Sequence, residues 1–205
     1  MHYGQEIFEG LKAYRRKDGG INLFRPDQNA KRMANSAKRL LMEPYPEDEF
    51  IKAVKEVVLA NQDFAPPYGS SGTLHLRPFM MGPQPIVGVS LSETYQFRIY
   101  ATPVGAYVKG LKPMSYEVSD YDRAAPVGIG QAKTAGNYAS SLLPSLIAKK
   151  NGFADALYLD PKEYKYPVGS LTYKGKKHVF GNRKDAGPIT QKLYDTLTGI
   201  QFGDL

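Results

Sequence analysis

The sequence predicts a two-part fold, an α+β domain over residues 1–104 and a second, C-terminal α/β domain over 114–205. Three observations carry this expectation. Two helical stripes precede three strand-like runs in the first half, residues 105–113 mix Gly, Lys and Pro as interdomain linkers do, and strand and helix signals alternate beyond.

Taken in order, Leu11 to Arg25 reads as two strands around Lys17-Asp18-Gly19-Gly20, because Asp-Gly favours the positive backbone angles of a tight hairpin. A helix capped by Asp27 follows, with Ala30, Met33, Ala34, Ala37 and Leu41 on one buried stripe and Arg32 off it. A second helix is expected from Glu47 to Asn61, with Phe50, Ile51, Val54, Val57 and Val58 inward, and then a loop over 66–72. Strands are expected at Thr73 to Met80, Pro85 to Leu91 and Tyr95 to Val104. Beyond the linker come a strand at Met114 to Ser119 and a helix interrupted by Pro144 and stopped by Asn151-Gly152. A strand at Asp155 to Asp160, a hairpin around Tyr173-Lys174-Gly175 and a last helix from Pro188 to Leu197, ending at Gly199, complete the reading.

Composition narrows the chemistry. The 205 residues are 42% hydrophobic, enough for a substantial core. The chain shows neither a leader pattern nor an apolar run long enough to span a bilayer, so a soluble protein without a membrane partner is expected. Without cysteine there is no disulfide or thiolate, and His2, His75 and His178 lack metal-ligand spacing. The net charge of +7 is spread along the chain, densest at Lys174, Lys176 and Lys177, which argues against a nucleic-acid partner.

The most informative segment is Arg123 to Tyr138, where Lys133 stands among small residues just before a helix. A phosphate-cradling P-loop needs Gly immediately before the lysine, and Ala132 is there; the dinucleotide fingerprint needs Gly where Lys133 itself stands. Small neighbours leave room for a bulky group bonded to the lysine, whose amine can condense with an aldehyde cofactor. A surface lysine in a loop is the competing reading of this window.

The segment resembles the lysine segment of branched-chain amino acid aminotransferases. Blocks at His2 to Tyr14, Leu23 to Arg32, Leu76-Arg77-Pro78 and Gly187 to Gly203 resemble the same family in the same order. The resemblance implies a fold-type-IV enzyme dependent on pyridoxal 5'-phosphate, working as a cytoplasmic homodimer. It would move amino groups between Leu, Ile or Val and 2-oxoglutarate by a ping-pong cycle. Lys133 would carry the cofactor covalently and shuttle a proton between substrate Cα and cofactor C4′, Tyr138 would hydrogen-bond the ring oxygen, and Arg32 would grip the phosphate. Phe8, Tyr3 and Arg77 would line the substrate pocket, with Val87 and Val89 reaching across the dimer. The alternatives are another fold-type-IV enzyme, such as a D-amino acid transaminase or an aminodeoxychorismate lyase, or an inactive shortened relative that only binds.

The chain departs from the family pattern in three places. The resemblance begins only at His2, after the family's opening strands, and His75 stands where the family usually has tyrosine. Tyr166 runs straight into Pro167, which resembles the family only much nearer its C-terminus, so the segment with the glutamate that pairs with the pyridine nitrogen is missing there. Glu163 precedes that junction and is not assigned the role.

Overall fold

The computed structural model describes residues 2–105, 114–123, 127–158, 170–173, 176–179 and 188–205. The chain divides into two units, one comprising 1–107, 131–135 and 194–205, the other 108–130 and 136–193. The short segment bearing Lys133 thus belongs with the N-terminal unit.

The first unit contains β1 (Glu6–Phe8), β2 (Leu11–Arg15), β3 (Ile21–Leu23), α1 (Pro26–Arg39), α2 (Glu47–Ala60), β4 (Thr73–Met81) and β5 (Gln96–Val104). The expected hairpin is β2 and β3, which pair Ala13 with Leu23 and Arg15 with Ile21. Gly19 takes φ +86° at the turn, and the Gly20 N–H donates to Asp18 Oδ1 at 2.9 Å. Helix α1 buries Ala30, Met33, Ala34 and Ala37 as the spacing predicts. Two details differ. Asp27 is not the cap: Arg25 occupies that position in a left-handed conformation, Pro26 opens the helix, and Asp27 accepts from the Gln28 side chain at 2.6 Å. Leu41 lies past the helix end with φ 56° and is exposed, because the stripe ends where the helix does. Helix α2 buries Phe50, Val54 and Val58, with Ile51 and Val57 partly covered.

Strand β4 organises the sheet. Along one edge β5 pairs with its whole length, Thr73 with Val104 through Met81 with Gln96. Along the other, β1 and β2 follow one another in a single register, Phe8 opposite Phe79 and Leu11 opposite Leu76. The two strands are separate because Pro78 stands between: its carbonyl accepts from the Glu9 N–H at 2.7 Å, but it has no N–H to return the bond. Directly paired residues share a face. One face therefore carries Ile7, Leu11, Ala13, Leu74, Leu76 and Met80, all buried in the core formed with α1 and α2. Tyr45 stacks on Phe97 at 4.0 Å and Phe50 tilts against it at 6.0 Å, and burying side chains of this size contributes roughly 1.5–3 kcal/mol each. The opposite face carries Phe8, Lys12, His75, Arg77 and Phe79, all half-buried. The strand expected at Pro85 to Leu91 does not form: residues 82–95 are a loop on which Val87 and Val89 are 93% and 85% exposed. Alternation alone supplied no partner edge for that run.

The second unit contains β6 (Tyr116–Val118), α3 (Ala135–Ala139, from Gly136 on), α4 (Leu142–Lys150), β7 (Asp155–Leu157), β8 (Ser170–Tyr173) and β9 (Lys176–Val179). Strand β6 runs parallel to β7 and to β8, and β8 and β9 form an antiparallel pair, as the tail reading expects; Lys174 and Gly175, where the turn is expected, and residues 106–113 lie outside the described residues. The helix break falls at Ser140 and Ser141 rather than at Pro144, which sits in the first turn of α4, where no N–H is required of it. Gly152 takes φ +83° and closes α4 through Phe153 N–H to Ala148 O at 3.0 Å, as Asn151-Gly152 foretells.

The final helix, α5 (Pro188–Phe202), continues through Gly199 instead of ending there. The reason is packing. A Cβ at Gly199 would come within 2.9 Å of Leu205 Cδ1, and the helix stops at Gly203, φ +80°, with Phe202 edge-on to Tyr14 at 5.0 Å. Among the described residues no helix is long and apolar enough to cross a membrane, and no cluster of His, Asp and Glu could hold a metal.

Candidate active site

Lys133 is held by its backbone. Its carbonyl accepts from the Phe8 N–H at 3.1 Å, its N–H donates to the buried Ser36 hydroxyl of α1 at 2.9 Å, and Thr134 Oγ1 donates to the Glu6 carbonyl at 2.6 Å. Ile7 and Thr134 form an antiparallel bridge, so the lysine segment lies along the edge of β1 that β4 leaves open. Ala132 and Thr134 are buried on either side while Lys133 is half-buried. A lysine fixed this way by its backbone presents its side chain in a set direction.

That side chain reaches the open face of the sheet. Lys133 Nζ stands 4.3 Å from the centroid of the Phe8 ring, and the Arg77 guanidinium carbon 4.9 Å from the same centroid. Arg77 Nη2 donates to His75 Nε2 at 3.1 Å, which requires that nitrogen to be unprotonated. Burial first, then the charges of Arg77 and Lys12, hold the His75 pKa below the ordinary histidine value. Lys12 lies directly opposite His75 across the β2–β4 pair. Gly10 gives the ring its room, since a Cβ there would stand 3.3 Å from His75 Cε1. Three of the expected residues, Lys133, Phe8 and Arg77, thus meet around one aromatic ring.

Arg32 projects from α1 one turn before Ser36. Its Nε and Nη2 donate to the two oxygens of Glu9 at 2.6 and 2.7 Å, and the Glu9 carboxylate, 0% exposed, also accepts from Asn29 Nδ2 at 2.8 Å. Arg32 lines an open cleft of about 740 Å³ together with Arg25, Lys31, Arg39 and Gln131, and among the described residues no carboxylate lines it. Such a cleft suits a multiply charged anion. Tyr3 donates through its hydroxyl to the Val87 carbonyl, tying the chain start to the exposed loop.

Tyr138 belongs to the second unit. Arg123 lies 4.7 Å from its ring centroid, and the helix it sits on is anchored by the buried Asn137, whose Nδ2 donates to the Ile129 carbonyl at 2.8 Å. Glu163 and the junction at Tyr166 and Pro167 lie outside the described residues. Sequence reasoning missed Glu9, Ser36 and Thr134. Glu9 alone left a signal, an acid at the position where strand alternation puts an inward residue between Ile7 and Leu11.

Comparison with known proteins gives the family. The family model described as Amino-transferase class IV matches residues 6–166. A branched-chain-amino-acid aminotransferase of Haemophilus influenzae is 41% identical over 284 aligned positions, covering 100% of this chain and 83% of that protein. Another, from Mycolicibacterium smegmatis, is 42% identical over 199 positions, 96% of this chain and 54% of that one. Among solved structures, the branched-chain amino acid aminotransferase of Escherichia coli superposes with a TM-score of 0.66 at 26% identity, covering 98% of this chain and 67% of that chain. The chain therefore spans from about half to about four-fifths of the relatives' lengths, and about two-thirds of the solved structure. The protein belongs to the class IV aminotransferases and, within them, to the branched-chain-amino-acid aminotransferase family.

Proposed function

We propose that this chain transfers amino groups between branched-chain amino acids and 2-oxoglutarate with pyridoxal 5'-phosphate as cofactor, as a cytoplasmic homodimer. The observation that carries the reading is the backbone clamp on Lys133, which directs its amine to the Phe8 ring beside Arg77. Pyridoxal phosphate supplies an aldehyde and a conjugated ring that accepts electrons from the substrate carbon. The residues present fit it at both ends: Lys133 would carry the aldehyde carbon, and Arg32, with Arg25, Lys31 and Arg39 around the same cleft, would hold the phosphate. Tyr138 is assigned the hydrogen bond to the ring oxygen.

The protein's own part in the reaction follows from these positions. Lys133 Nζ would serve as the proton shuttle between the substrate Cα and the cofactor's C4′, and the Phe8 ring, its centroid 4.3 Å away, covers one side of the amine. Arg77 offers a guanidinium to the substrate carboxylate, while Phe8 and Tyr3 receive the aliphatic side chain, which binds through area and dispersion alone. The exposure of Val87 and Val89 supports their assignment to a dimer contact.

A second reading, a shortened relative that keeps the cofactor amine but transaminates weakly, is favoured by one fact. The Haemophilus influenzae alignment runs over 284 positions against 205 residues, and the family model stops at Tyr166. We place the shortening between Tyr166 and Pro167, where it removes the carboxylate expected at the pyridine nitrogen. One experiment addresses both readings, an intact mass spectrum before and after borohydride reduction, followed by turnover with leucine. The expected result is a reducible cofactor adduct that Lys133→Ala abolishes, with activity falling roughly 10²–10⁴-fold. A wild-type protein that forms no adduct overturns the proposal; an adduct on a chain of 22.7 kDa with negligible turnover selects the second reading.

A further inference from the structure

Glu9 is a carboxylate taken wholly out of water, at the inward position between Ile7 and Leu11. Hydrophobic residues of similar volume could fill such a position, so a buried ion pair there calls for an explanation beyond stability. Its geometry supplies one. Both oxygens engage the same edge of one guanidinium, Oε1 to Arg32 Nε at 2.6 Å and Oε2 to Arg32 Nη2 at 2.7 Å. Asn29 Nδ2 at 2.8 Å and the Gly10 N–H at 3.3 Å hold Oε2 from two further directions. The carboxylate cannot swing, and a guanidinium held along one edge by a fixed carboxylate has its plane fixed as well.

Arg32 is otherwise a long side chain on the outer face of a helix, 54% exposed, lining the cationic cleft. An unsupported arginine in that place would lose much rotamer freedom each time it grasped an anion. An arginine already aligned from behind loses little. Of the basic residues around the cleft, Arg32 is the one whose guanidinium both oxygens of Glu9 engage, which gives it a set direction.

We propose that Glu9 is a positioning residue which pre-orients the Arg32 guanidinium for the cofactor's phosphate, so that affinity for the phosphorylated cofactor depends on a carboxylate that never touches it. The inference rests on Arg32 as the phosphate residue. It is tested with apoprotein and two probes, pyridoxal 5'-phosphate and pyridoxal, which differ only in the phosphate. Dissociation constants are measured for the wild type, Glu9→Gln, Arg32→Ala and the double variant.

In Glu9→Gln the phosphorylated probe weakens about tenfold, the scale of one charge-assisted contact, while pyridoxal is unchanged. In the Arg32→Ala background the same substitution has no further effect, since the two residues act as one. Equal losses for both probes, full retention of the phosphorylated probe, or additive effects in the double variant would overturn the proposal and leave Glu9 a structural residue. If Arg32→Ala itself does not discriminate between the probes, the reading of Arg32 fails and this inference with it; if only Glu9→Gln fails to discriminate, the inference alone falls. Should Glu9→Gln not fold, Glu9→Asp keeps the charge but shortens the reach, and the same selective loss is expected of it.

Discussion

The two faces of the five-stranded sheet are made from alternate residues of the same strands, and they have little else in common. Ile7, Leu11, Ala13, Leu74, Leu76 and Met80 lie at 0–7% exposure against two helices. Their immediate neighbours Phe8, Lys12, His75 and Arg77 are half-buried and gather cations around one aromatic ring. The contrast teaches that stability and chemistry are separated here by a single residue step, with Glu9 a charged group set on the apolar side. It follows that substitutions on one face should register mainly in unfolding experiments, and on the other mainly in binding and turnover.

The sharpest way to break this division is Phe50→Ala, which removes from the helix side the largest side chain fully buried among the described residues. A loss of about 3–5 kcal/mol in denaturant unfolding is expected, with the cofactor adduct on Lys133 still forming in the folded fraction. A loss below about 1 kcal/mol would mean the core is not where the unit's stability lies. Next in size is Thr134→Val, which deprives the Glu6 carbonyl of its 2.6 Å partner beside the lysine. About 1–3 kcal/mol is expected, together with slower adduct formation, because this bond belongs to the clamp rather than to the core. Unchanged adduct kinetics would show that Ser36 and Phe8 hold the lysine by themselves.

The smallest effect concerns His75. Burial and the two nearby cations depress its folded-state pKa, so below about pH 6.5, the unfolded value, the unfolded chain binds the proton more readily than the fold. Stability is therefore full above that pH and declines as pH falls toward the folded-state value. His75→Tyr should flatten this part of the decline when melting temperatures are compared near neutral and mildly acid pH; an identical pH dependence would remove His75 from the account.

What could be read beforehand follows the same division. The hairpin at Asp18 and Gly19 and the stripe from Ala30 to Ala37 were legible because local spacing determines them. Strand β1 was not, since it is three residues long and one of its edges is completed by Thr134, far along the chain. The run from Pro85 to Leu91 carried the right residue types but no strand to pair with. In the site, Lys133, Phe8 and Arg77 came from resemblance and meet at one ring, whereas the supports at Ser36, Thr134 and Glu9 depend on three-dimensional neighbours that no local pattern encodes.

Pro78 interrupts the hydrogen bonding of β4 to the β1–β2 edge without shifting the count, for Phe8 faces Phe79 and Leu11 faces Leu76 on the same continuous diagonal. The two-residue link Glu9-Gly10 is consequently governed by parity. Inserting or deleting one residue there would turn one strand over relative to the other, sending an aromatic ring into the apolar interior or a carboxylate out to solvent. Changes of an even number keep each side chain on its own side, so the parity of this link is a constraint separate from the identities that the Arg32 contact and the His75 ring require at Glu9 and Gly10.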